Sequence, residues 1–148
     1  MSRAIPEGVH SITPALTIDG AAAAMEFYKK ALGAVELMRA PDPSGTKIWH
    51  AAMKIGDSQF FLNDEFPDMG SKANVTKLWI YCEGVDAAFQ RAVDAGAKVH
   101  QPLGDMFWGD RMGTVVDPWG NQWTLAQHVK DVTPEEMRKA TEAFAKKA

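Results

Sequence analysis

The hydrophobic pattern of the chain changes period several times, and each change marks an element. In TPALTIDGAAAAMEFYKKALGAVEL, residues 13–37, an alternating run gives way to a helical one that stops at a glycine. Alternation implies a strand and the i, i+3, i+4 pattern a helix, with Asp19 placed to cap it and Gly33 placed just past its end. A second copy follows in KLWIYCEGVDAAFQRAVDAGAKVHQP, residues 77–102, where Asp86 is the candidate cap and Gly96 the stop. Further β-patterned runs come after each helix: KIWHAAMKI, a turn at GDS and QFFLND in the first half, then RMGTVV, a turn at DPWGN and QWTLAQ in the second. Each half therefore reads βαβββ. The pattern predicts an α+β fold of two such modules, over about 9–65 and 74–128, in one domain spanning 1–148.

The tail VTPEEMRKATEAFAKK places Thr133 and Glu136 at capping-box spacing with Pro134 at the first helical position, which predicts a last helix over about 133–147. The FPDMGSKAN stretch, 66–74, reads as the loop that joins the modules. In DPWG, proline and glycine supply a fixed φ and then a permissive residue, so Asp117–Gly120 is turn chemistry.

Charge narrows the partners. Sixteen Lys and Arg against nineteen Asp and Glu give a net charge of −3 with no basic block, which argues against nucleic acid. No apolar run approaches a membrane span and the start lacks a secretory pattern, so the expectation is a cytoplasmic protein with no membrane partner. Cys82 is the only cysteine, and in LWIYC it reads as a small hydrophobe.

Several pieces are more specific: EFYKKALGA, HAAMKIGDSQFFLND, WGDR, DPWGNQW and LAQHVKDVTPEEM. Together they resemble the PhnB-like branch of the vicinal oxygen chelate superfamily, which includes glyoxalases, bleomycin resistance proteins and extradiol dioxygenases. The resemblance implies paired βαβββ modules forming an open, curved mixed sheet with helices outside, a ligand cleft within, and a homodimer. In metal-dependent members His and Glu from four strands hold one divalent ion. Carried onto this chain, those positions fall at Thr13, at or near Phe61, at Lys77 or Thr76, and at Thr124. Hydroxyls, a ring and an ammonium are poor ligands for such an ion, so no cofactor and no metal residues are expected. A divalent metal remains conceivable only at a displaced site drawn from His50, Asp64 and His128.

Alternation along IWHAAMKI turns His50 away from the helix, and along KLWIYC it turns Lys77, Trp79 and Tyr81 toward the cleft, where Phe61 and Thr124 would join them. Trp108 and Arg111 of WGDR read either as a pocket wall with a guanidinium fork for an anion, or as a loop in which Arg111 pairs with Asp110 or Asp105. Trp123 reads as core and Trp119 as turn surface or dimer contact. His128 stands either near the cleft mouth or as a support for the final helix. The leading function is binding of a small-molecule ligand. The alternatives are a metal-dependent lyase, isomerase or dioxygenase with His50 or Asp64 as catalytic base, and a structural module with a filled cleft.

Overall fold

The computed structural model describes residues 2–147. The first module runs β1 (Ala15–Ile18), α1 (Ala21–Leu32), β2 (Val35–Pro41), β3 (Ile48–Ile55) and β4 (Ser58–Asp64). The second runs β5 (Lys77–Tyr81), α2 (Val85–Asp94), β6 (Lys98–Asp105), β7 (Asp110–Val116) and β8 (Gln122–His128), and α3 (Pro134–Lys147) closes the chain. The strands form two four-stranded sheets of identical plan, β1-β4-β3-β2 and β5-β8-β7-β6. In each, the first strand lies parallel to the last while the other pairs are antiparallel, so the fold is α+β with open mixed sheets.

Both helices stop where the sequence marks the stop: Gly33 adopts φ 67 and its neighbour Ala34 donates back to the Tyr28 carbonyl. The starts differ from expectation. Gly20 and Gly84 hold the N-cap positions, and neither Asp19 nor Asp86 caps its helix. The caps come instead from the last strand of each module. Asp64 Oδ1 accepts the Gly20 and Ala21 amides, and Gln127 Oε1 accepts the Val85 amide. A cap delivered by tertiary structure leaves no local sequence signal. At α3 the capping box is local and forms as read, with Glu136 N donating to Thr133 Oγ1 and Thr133 Oγ1 to Glu136 Oε1.

The modules join through their helix sides. Tyr28 of α1 sits among Phe60, Trp119 and Trp123, with ring centroids 5.0 Å apart for the Tyr28–Trp123 pair. Trp119, read from the sequence as turn surface or dimer contact, is partly buried between the modules against Phe27 and Tyr28. Below these rings, buried Asp117 accepts the Trp119 and Asn121 amides on Oδ1, and the Tyr28 hydroxyl and Trp123 Nε1 on Oδ2. Burial and that carboxylate push the Tyr28 phenol far up, so it stays a donor. Because Phe60 and Trp123 meet on the helix sides of their strands, the two open sheet faces do not meet within the chain. Among the described residues no strand of one sheet pairs with a strand of the other.

Candidate functional site

The open face of the second sheet carries two exposed rings. Leu78 and Ile80 pack toward the helical core, which turns Lys77, Trp79 and Tyr81 the other way. Trp79 is 43% and Tyr81 60% exposed, with ring centroids 6.0 Å apart. Register carries this face across the sheet, from Trp79 to Thr124 and Thr114, then from Tyr81 to Ala126 and Met112, with His128 opposite Asp110 at the far end. Thr114 and Thr124 bury their hydroxyls against each other at 2.7 Å and form the floor.

At the far end a carboxylate acts as a hub. Asp110 is 3% exposed, and its Oδ2 accepts the Tyr81 hydroxyl at 2.8 Å and Trp108 Nε1 at 3.1 Å. Its Oδ1 lies 2.9 Å from His128 Nδ1, and His128 Nε2 lies 2.7 Å from Asp131 Oδ1. Burial pushes the Asp110 carboxyl up, but hydrogen bonds from His128, Tyr81 and Trp108 outweigh it and hold the group below the usual range. The same bonds raise His128 through Asp110 and Asp131, and raise Tyr81 through Asp110. His128 thus borders the open face and also ties the segment leading to α3, joining the two roles that the sequence left as alternatives.

Arg111 is elsewhere. It pairs with Gln127 on the helix side of the sheet, and its guanidinium is held bidentately by Asp86 at 2.8 and 3.0 Å and by Asp105 at 3.2 Å. Those carboxylates raise its pKa still further. Of the two readings the sequence left for Arg111, the pairing with Asp105 is the one that forms and the pocket wall is corrected: its neighbour Asp110, of opposite parity, faces the open side. The turn that separates them from Trp108 needs Gly109, whose φ is 99 and whose missing Cβ makes room for the Lys130 carbonyl.

On the first sheet, His50 and Phe61 stand on the open face in edge contact, centroids 4.7 Å apart. Phe61 therefore does not join Trp79 across a cleft within one chain. Asp64 lies on the helix side, with Oδ2 accepting the Ile48 amide at 2.8 Å in addition to the two cap bonds. Three backbone donors occupy its lone pairs, an arrangement suited to a structural carboxylate rather than a base.

The positions inferred for a metal hold chemistry unsuited to one. Thr13 Oγ1 donates to the His10 carbonyl, Thr124 is bonded to Thr114, and Phe61 and Lys77 supply a ring and an ammonium. His50, Asp64 and His128 are not brought together, and among the described residues no group of three or more His, Cys, Asp or Glu is placed to hold an ion.

A groove of about 680 Å³ runs along the unpaired edge of β5, floored by Phe60, Trp123 and Leu125 and rimmed by Cys82 and Arg91. Gln122 N bonds the Thr76 carbonyl and Cys82 N the Ala126 carbonyl, so the backbone groups of Lys77, Trp79 and Tyr81 point to that open edge.

Sequence reasoning missed the Asp110–His128 pair, although a signal existed. The hairpin turns about Trp119, and Asp110 and His128 are nine positions to either side of it.

Residues 8–125 match the family model described as the Glyoxalase/Bleomycin resistance protein/Dioxygenase superfamily. An uncharacterized protein of Mycobacterium bovis is 42% identical over 139 residues, covering 88% of this chain and 91% of its own length. The crystal structure of TioX from Micromonospora sp. ML1 aligns with a TM-score of 0.66 at 25% identity, covering 84% of this chain and all of TioX. A PhnB protein from Bacillus cereus aligns with a TM-score of 0.61 at 20% identity, over 80% of this chain and 99% of that one.

Proposed function

The chain belongs to the glyoxalase/bleomycin resistance protein/dioxygenase superfamily, and on that premise we propose that it is a PhnB-like small-molecule-binding protein whose cleft is built on the open face of the second sheet. The observation that carries the reading is the Trp79–Tyr81 pair, exposed on a sheet face whose hydroxyl floor and buried Asp110 are already satisfied. Leaving such rings in water forgoes about 1.5–3 kcal/mol of burial apiece, which a ligand recovers. The polar hub fixes Tyr81, so little side-chain entropy is lost on binding.

A homodimer completes this reading. Among the described residues nothing covers the open face of the first sheet, where His50 is exposed beside Phe61, and no strand pairs with the outer edge of β5. A second copy supplies the wall opposite Trp79 and covers the edge, which would otherwise be a site of uncontrolled strand pairing. The site uses no divalent metal, given hydroxyls, a ring and an ammonium at the inferred positions. The reading places the protein in the cytoplasm, with Cys82 a free thiol; no helix among the described residues is long and apolar enough to cross a membrane.

The test is titration of aromatic small molecules against tryptophan fluorescence, with sedimentation to give the assembly state. Binding that disappears in Trp79→Ala, on a dimer, is the expected result. A monomer whose library response is the same with and without Trp79 would overturn it. A second reading, an enzyme, draws on His50, whose ring stands exposed on an open face. Turnover of a bound compound that is lost in His50→Ala would move it ahead.

A further inference from the structure

The open face of the second sheet is electrically polarised along its strands, and the polarity says what it binds. One row across the sheet reads Lys77, Gln122, Val116, Lys98. The next reads Trp79, Thr124, Thr114, Gln101, and the third Tyr81, Ala126, Met112, Gly104. The fourth holds Asp110 and His128, with Asp131 on the outer nitrogen of the imidazole. Successive rows are about 7 Å apart, so a cationic end and an end with two carboxylates around one imidazole are separated by about 20 Å of rings, hydroxyls and a thioether.

The two ends differ in how far their charge is already matched. Asp110 is buried and answered by three donors. At the other end, among the described residues the lysines that form ion pairs are Lys29, Lys130 and Lys139, and Lys77 and Lys98 have no acidic partner. Arg111, the cation in WGDR, is closed off on the helix side by Asp86 and Asp105. The unanswered positive charge of this face therefore sits beside Trp79.

We propose, resting on the binding reading above, that the ligand is an elongated aromatic anion that stacks on Trp79 and Tyr81 and directs its carboxylate or equivalent acidic group to the Lys77 end. The opposite end, where two carboxylates surround one imidazole, offers an anion no unmatched cation, which sets one orientation. Lys77 is the specificity-determining residue, and Trp79 supplies the common apolar contact.

Three probes of one shape test this on the full chain: 2-naphthoate, 2-naphthalenemethanol and 2-naphthylmethylammonium, followed by calorimetry and tryptophan fluorescence. Naphthoate is expected to bind about fivefold tighter than the alcohol, with the ammonium weakest, since a partly exposed ion pair contributes up to about that factor. Lys77→Gln should bring naphthoate to the level of the alcohol and leave the alcohol unchanged. Raising salt from about 50 to about 500 mM should do the same by screening. If all three bind alike and Lys77→Gln changes none of them, the charge inference is overturned while the binding face stands. If none binds at millimolar concentration, or Trp79→Ala leaves all three unaffected, the binding reading falls and this inference with it.

Discussion

Asp64 and Gln127 occupy equivalent places, each near the end of its module's last strand and beside the glycine that opens its module's helix. The first module meets its helix start with a buried carboxylate that takes three amides. The second uses a neutral amide that takes one, and moves its acid into the helix, where Asp86 holds Arg111. The same exchange occurs on the open faces. Register aligns Ala15 with Trp79, Thr17 with Tyr81 and Phe61 with Thr124. Rings that the first module places on its last strand are placed by the second on its first. One plan thus yields a module organised around a helix cap and another organised around an exposed aromatic face.

The largest expected effect breaks the comparison at the caps. Asp64→Ala removes a charged cap and leaves the buried Ile48 amide unanswered, a loss of about 2–4 kcal/mol in denaturant unfolding. Gln127→Ala should cost about 1 kcal/mol or less, because Asp86 still favours the positive end of α2. Equal losses would mean that the two caps are interchangeable.

Next in size is the joint between the modules. Tyr28→Phe removes the phenolic donor from Asp117 and should cost about 1.5–3 kcal/mol, as hydrogen bonds to charged groups do. Unfolding should stay a single transition in calorimetry, since the core cluster runs through both modules. Two separate transitions in the variant would show that this bond couples them.

A smaller effect on stability sharpens the contrast between the faces. Trp79→Ala should change stability by less than about 1 kcal/mol, its ring being exposed, while removing ligand binding. Phe61→Ala, half-buried against His50, should affect ligand binding only in so far as a second copy presents it to the site. A Phe61→Ala variant that retains affinity at every protein concentration would separate the two faces functionally.

Period and punctuation made the paired modules legible: the helical runs end at Gly33 and near Gly96, and DPWGN turns the β7–β8 hairpin. Parity also located Lys77, Trp79 and Tyr81 on one face. What stayed hidden depends on contacts between distant segments. Asp19 looked like a cap because local spacing favours it, whereas Asp64 arrives from 43 to 44 residues away. The sequence leaves Arg111 between a pocket wall and a pairing with Asp110 or Asp105 because WGDR reads as one motif, but a strand sends consecutive side chains to opposite sides, and it is Asp105 and Asp86 that share its side. Trp119 read as turn surface or dimer contact because a turn is usually exposed, and the docking of α1 buries part of it.

The smallest expected effect concerns the hub, for which the first module has no counterpart. His128 is raised above its ordinary value of about 6.5 by Asp110 and Asp131, so its contribution to stability is complete below that value and is lost as pH rises through the folded value. Asp110 is lowered, so its contribution is complete above the usual carboxylate range and is lost as pH falls through its depressed value. Between the two, the hub should be at its strongest and Tyr81 most firmly held. His128→Gln should therefore flatten the alkaline limb of the stability profile and leave the acid limb dependent on Tyr81 and Trp108. Half of the His128 side chain is in water, and solvent weakens the pair, so the change is small. The measurement is thermal unfolding of both proteins across neutral and alkaline pH, with Tyr81 followed by ultraviolet absorbance. Coincident alkaline limbs would show that the imidazole sits between its two carboxylates without charge, and the hub would then hold Tyr81 by neutral hydrogen bonds alone.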